Sequence, residues 1–471
     1  MPENYKYGGG ASESLLHPVV AVLLAIAIVC VLVLPRRYIV LPLLWMTLLV
    51  PVGQQIYVAG VHLFALRLVV LFGLVRMLAS KKEADRKLFA GGMNRIDRAF
   101  LICMVAQAIS VMLTFHVGQA VINQISFLLD WVGGYFLIRW ALRDEQDIYR
   151  SLKYLALLVV PVAVVMIIEQ VKFINLFSFL GGVGASPAVR EGKIRSAGVF
   201  EHPIIAGTVG AFMVPMFLLL WKNGKSKVLG AVGVISATIM MWTANSSTCL
   251  SAYVGVFVAL LFWPLQKSMR TVRWAIAICL IGLDLVMKAP VWFLIARVDL
   301  TGGSSGYHRA VLVDQFIRNF WDWWLIGVSN SSAWGLDMWD VQNQYVNVGE
   351  TGGLLAFVFL ILLISRSFGR IGDARKIVDG DKDREWMLWL LGSALFANVV
   401  AFFGVNYFDQ SRMIWFLLLA MISAATAPLL QAAPVPEHEV QPAFANPRLA
   451  YSPRAVSNSA AQRKLETRGV R

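Results

Sequence analysis

The stretch GKIRSAGVFEHP at residues 192–203 sets Lys193, Arg195, Glu201 and His202 between two long apolar runs. Lys172, Arg190, Arg297, Arg309 and Arg318 likewise fall in polar segments that separate apolar runs. Arginine suits one kind of chemistry above others. Its planar guanidinium forks onto phosphate oxygens, and each charge-assisted bond contributes about 1.5–3 kcal/mol. Two arginines from separate segments, converging on one site, would hold a lipid diphosphate. The alternative for each is a solvated cation in a long connection, where the charge rule for short loops does not apply.

The elements that must position these residues follow from composition. The chain has 471 residues, 58% hydrophobic and 15% charged, with a mean hydropathy of +0.66; soluble domains carry about 25% charge. This is the composition of an all-α integral membrane protein. A hydrocarbon core of about 30 Å takes about 20 helical residues per crossing. Apolar runs lie near residues 18–34, 39–58, 61–79, 97–115, 121–141, 151–169, 204–221, 228–243, 249–264, 274–288, 353–365, 386–404 and 412–429, so about 12–13 transmembrane helices are expected. Barrel strands are excluded, because alternate residues would face a polar lumen. The first run is not preceded by a basic signal region with a cleavage site and reads as a retained helix.

The net charge of +14 does not point to nucleic acid, because the basic residues cluster in alternate connections: 36–37, 76–98, 139–153, 222–227, 267–273, 366–384 and the C-terminal tail. Positive-inside counting makes these cytoplasmic, with the N-terminus outside and the C-terminus inside. A membrane domain over 1–429 is expected, with outer segments at 171–203 and 289–352 and a short outer turn, VNYFDQSR, at 405–412. The tail at 430–471 is rich in Pro, Ala, Ser and Arg and reads as disordered and cytoplasmic. Within the larger outer segment, residues 309–324 place apolar residues at 313, 316, 317, 320, 321 and 324, the spacing of an amphipathic helix lying in the interface. Cys30, Cys103, Cys249 and Cys279 all fall inside expected spans, which suggests neither disulfides nor a metal site.

Three segments in order carry a family likeness: RSAGVFEHP (195–203) before a helix, GYHRAVL (306–312) with WWLIGV (323–328) in a large outer segment, and QNQYVNVGETGG (342–353) opening the next helix. With the late NYFDQ (406–410), the chain resembles the O-antigen ligase and O-antigen polymerase superfamily of bacterial polytopic membrane proteins. The resemblance implies glycan transfer at the periplasmic face of the inner membrane, from undecaprenyl diphosphate to an acceptor sugar hydroxyl, without cofactor or metal. It implies a lipid-linked oligosaccharide and an acceptor glycan as partners within the bilayer, alongside flippase and chain-length regulator proteins. Matching motifs assign diphosphate binding to Arg195 and Arg309, and acceptor positioning to Gln342, Asn343 and Tyr345. The chain departs from the ligases where they carry His-Asn: glutamine at 342 cannot serve as a base. A serine-arginine pair common after the mid-chain helix is replaced by Asn245-Ser246-Ser247-Thr248.

An acceptor hydroxyl benefits from a base, for which the candidates are Glu350, Glu201, His202 and His308, in that order. Glu350 and His202 also stand at helix starts, where each has a purely structural role open to it. Asp409 and Arg412 are suited to pairing with each other. Ionisable groups inside the spans cost about 2.5–3.5 kcal/mol unless paired or solvated. Arg139 is expected to snorkel; Arg67 either pairs with Asp130 or points into a cavity. Polymerisation of exopolysaccharide, capsule or O-antigen repeats is the leading reading, with ligation to lipid A core second. A polysaccharide flippase is third, disfavoured by the long outer segment.

Overall fold

A computed structural model describes residues 14–58, 61–80, 88–222, 226–297, 306–408 and 410–432. Residues 433–471 of the expected tail and Asp409 lie outside the described residues; 430–432, expected in the tail, still belong to the last helix. Each of the expected apolar runs contains a helix. Among the described residues, six helices are long and apolar enough to cross a membrane: Arg95–Phe115 (α4), Gly118–Ala141 (α5 and α6), Glu145–Lys172 (α7), Pro203–Lys222 (α8), Gln344–Ile377 (α14) and Gln410–Gln431 within α16 (Gln410–Ala432). A seventh results if α10 (Ser247–Leu261) and the segment continuing through α11 (Met269–Val286), bent by 75°, form one span. Two helices, α1 (Pro18–Val33) and α9 (Lys227–Thr243), are apolar but shorter. The protein is therefore an all-α, multi-pass membrane protein.

Local chemistry sets the ends. The run at 39–58 stops being helical at Leu49, the end of α2 (Val40–Leu49), because Pro51 lacks an N–H and Gly53 sits at φ 93. It continues as β1 (Gln55–Val58), paired antiparallel with β2 (Val61–Phe64), so α3 begins only at Ala65 and ends at Ala79. Helix α4 opens with a capping box: Asn94 Oδ1 accepts from the N–H groups of Ile96 and Asp97, while Asp97 Oδ2 accepts from Asn94 N–H at 2.9 Å.

Helices α8 and α16 form the centre, with 83% and 89% of their apolar windows buried against 44–50% for the other four spans. Close approach of α8 and α9 depends on missing side chains: a Cβ at Gly210 would meet Ala237 O at 2.6 Å and one at Gly233 the Phe217 ring at 2.7 Å. Leu157, Val164, Ile167 and Val171 on α7 remain exposed, as expected of a face turned to lipid. The remaining long helix, α15 (Lys382–Ala401), packs against α8 and α10.

Arg67, Asp130 and Arg139 are paired within the spans. Arg67 donates Nε to Asp130 Oδ1 at 2.9 Å and Nη2 to Oδ2 at 2.7 Å, both side chains 9% exposed; Asp130 occupies a π-turn at Leu129–Gly133 between α5 and α6. Arg139 does not snorkel. It is fully buried, 3.4 Å from Asp97 Oδ1, and donates Nη2 to Ala90 O at 2.6 Å. Its length, which would let it reach water, instead spans to Asp97, which also accepts from Tyr135 Oη at 2.6 Å. Arg412 approaches Asp130 at 3.8 Å.

Candidate functional site

The stretch that carries Arg195 is a hairpin. β3 (Ala188–Arg190) and β4 (Lys193–Arg195) pair antiparallel, with Arg190 opposite Lys193. The connecting Glu191 and Gly192 both take positive φ (51 and 74), the geometry of a type I′ turn. Three contacts fix β4: Asn245 Nδ2 donates to Ile194 O at 2.6 Å, Ser196 N–H to Thr243 O at 3.0 Å, and Arg195 Nε to Ala244 O at 3.4 Å. The corner between α9 and α10, carrying Asn245-Ser246-Ser247-Thr248, thus holds Arg195 in place. From the other side, the buried Glu169 carboxylate accepts from Ala197 N–H and Gly198 N–H, the latter at 2.8 Å.

Arg309 comes from α12 (Gly306–Arg318). The amphipathic run is helical, but it breaks at Asn319 and resumes as a single turn, α13 (Phe320–Trp323). Its inner face packs Leu312, Phe316 and Trp323 with Trp334, Met338 and Val346 into a satellite core, Phe316 and Trp323 stacking at 4.0 Å. Asp314 tethers the outer flank, accepting from Arg318 Nε at 2.6 Å and Trp292 Nε1 at 3.3 Å. This packing buries Arg309 to 7% exposure.

The charge of Arg195 reaches Arg309. Burial pushes the Arg309 guanidinium down to about 10; Cys249 opposes the effect, the charges of Arg190 and Arg195 add to it, and Asp340 opposes it more weakly. Arg195 is lowered as well, by burial first and then by Arg190. The buried Nε of Arg309 has no hydrogen-bond partner among the described residues. Asp340 accepts from Gln342 Nε2 at 2.7 Å. A buried arginine with an unused donor, within range of the charges of two more, is suited to an anion.

Other sequence candidates are placed differently. Glu350 is buried, with Oε1 unpartnered, beneath a segment that approaches its backbone: Val328 N–H donates to Glu350 O at 2.7 Å and Leu354 N–H to Trp324 O at 2.8 Å. These bonds bridge a break in α14 at Gly353, where φ is 66. A Cβ at Gly327 (φ 77) would meet Glu350 O at 2.0 Å, and one at Gly353 would meet Leu325 O at 2.6 Å, so both positions require glycine. Asn343 caps α14, its Oδ1 accepting from Tyr345 N–H at 2.9 Å and Val346 N–H at 3.2 Å. Tyr345 Oη donates to Val399 O at 3.1 Å. Glu201 and His202 are exposed, His202 against Phe408; His308 Nε2 lies 3.0 Å from Asp337 O.

Arg67 and Asp130 line a cavity of about 280 Å³ with His62, Gln119, Asn123 and Arg412. Gln410, two residues before Arg412, donates Nε2 to Val50 O at 3.3 Å and Val199 O at 3.2 Å, linking this region to the stretch that follows Arg195. Sequence reasoning named Arg190 only among the outer cations, and missed Asp340 and the anchoring roles of Glu169 and Gln410. A two-residue Glu-Gly turn between short β-prone segments is the one signal that places Arg190 beside Arg195. Among the described residues no group of three or more His, Cys, Asp or Glu is placed to hold a metal. No family model matches the chain, and no curated protein matches it.

Proposed function

We propose that this membrane protein transfers a glycan from a polyprenyl diphosphate carrier to a sugar hydroxyl, polymerising lipid-linked repeat units of an exopolysaccharide, capsule or O-antigen. The observation that carries the reading is the buried Arg309 with its unpartnered Nε, within range of the charges of Arg190 and Arg195. In the reaction the bond between the anomeric carbon and the diphosphate oxygen breaks, the acceptor oxygen bonds to that carbon, and negative charge gathers on the departing diphosphate. Preorganised guanidinium groups stabilise that charge more in the transition state than in the ground state. The acceptor proton passes to a base; Glu350, with one carboxylate oxygen unpartnered, is the first candidate, ahead of Glu201, His202 and His308. Gln342 takes no proton, which favours polymerisation over ligation. Acceptor hydroxyls find donors and acceptors in the cavity of Gln119, Asn123, Arg67 and Asp130.

The site lies outside the cytoplasm of a bacterial inner membrane in this reading, with the N-terminus on the same face and the C-terminus opposite. The exposed Ile317, Trp321 and Leu325 suit α12 and α13 to the interface. Purified protein given undecaprenyl-diphosphate-linked repeats in detergent is expected to build longer chains and release undecaprenyl diphosphate. Absence of chain growth, with transfer of the same lipid across a sealed vesicle, would make the protein a carrier.

A further inference from the structure

A second set of arginines lies away from this site. Arg95 and Arg98, in the first turn of α4, and Arg366, well along α14, surround a hollow of about 330 Å³ whose other walls are Ala99, Phe359 and Leu362. All three arginines are exposed, and none is in an ion pair among the described residues. The apolar stretch of α14 ends just before Arg366 and that of α4 begins just after Arg98. Both helices therefore change from apolar to basic at the wall of one hollow. The two helices are tied further along: Ser110 Oγ donates to Gly352 O at 3.2 Å and Cys103 Sγ to Ala356 O at 3.3 Å.

A molecule that matches these walls presents negative oxygens to the guanidinium groups and hydrocarbon to Phe359 and Leu362. We propose that the hollow binds the phosphate headgroup of an anionic membrane phospholipid, with an acyl chain lying along Phe359 and Leu362. Arginine pairs with phosphate through two parallel bonds, and a basic recess between spanning helices is suited to such headgroups. The occupant also relieves the mutual repulsion of three neighbouring cations. This inference does not depend on the proposed catalytic reading.

The test is native mass spectrometry of the delipidated full-length protein with dioleoylphosphatidylglycerol, dioleoylphosphatidylcholine or sodium phosphate. A saturating phosphatidylglycerol adduct is expected at concentrations about ten-fold below those needed for phosphatidylcholine. Each Arg→Ala change is expected to weaken it about five-fold, and Arg95→Ala/Arg98→Ala/Arg366→Ala together about 100-fold. If the triple variant does not purify as a monodisperse protein, Arg366→Gln alone is expected to weaken the adduct about five-fold. Equal binding of phosphatidylcholine, or unchanged adducts in the variants, overturns the proposal. Displacement of phosphatidylglycerol by equimolar phosphate also overturns it, since the hollow would then serve a free anion.

Discussion

Replacing Arg309 by methionine separates stability from anion binding. Burial holds the Arg309 guanidinium at about 10; the gap from the ordinary value of arginine corresponds to about 3 kcal/mol against the charged form in the folded state. The sign follows from linkage. Because the folded value lies below the unfolded one, the unfolded chain binds more protons between the two, so stability rises as pH climbs from about 10 towards the ordinary arginine range. Below about 10, neutrality included, the full penalty is present. Arg309→Met fills similar volume without a charge, so about 1–3 kcal/mol of stabilisation is expected in anion-free detergent, read as a higher midpoint of thermal unfolding. Inorganic pyrophosphate should raise the midpoint of the wild-type protein, and it should do so less as pH passes about 10. It should stabilise the variant less. A lower midpoint for Arg309→Met without anion, or equal stabilisation of both proteins by pyrophosphate, would refute the argument.

Three further outcomes are expected. Asp130→Asn leaves Arg67 buried without its carboxylate and should cost about 3–5 kcal/mol, seen as loss of monodisperse protein on gel filtration, with Arg67→Met/Asp130→Leu recovering it. Gly353→Ala forces a side chain into positive φ and against Leu325 O, and should lower the unfolding midpoint by the equivalent of about 1–3 kcal/mol, whereas alanine at the open Gly369 should not. Glu169→Ala removes the acceptor of two buried N–H groups beside Arg195, a loss of about 1–3 kcal/mol. Hydrogen exchange at Ala197 and Gly198 should accelerate in that variant while amides in α16 stay protected.

Helix positions were legible because run length alone identifies a segment that satisfies its backbone inside hydrocarbon. The ends were not. Val50 to Val58 extends the run of the helix before it with Val50, Val52, Ile56 and Val58, yet Pro51 and Gly53 divert the chain into a hairpin. Arg139 near a span end reads as a cation reaching for water, and nothing local reveals Asp97 waiting across the bundle. Arg195 and Arg309 were legible as candidates because cations in polar connections stand out against apolar runs. The burial of Arg309 depends on α12 packing with Trp334, Met338 and Val346, a contact without local periodicity. The break at Gly353 was partly visible, since paired glycines after Thr351 argue against an uninterrupted helix.

The interruption of α14 also limits how the protein can be recombined. Its exposed peptide groups are completed by Trp324 and Val328, which sit beyond α12 in the same polar segment. That segment cannot be exchanged as an independent cassette between homologues: a graft that alters the 324–328 backbone strips the span of its local support. Hybrids that carry residues 306–354 as one block keep donor and recipient halves of that joint matched.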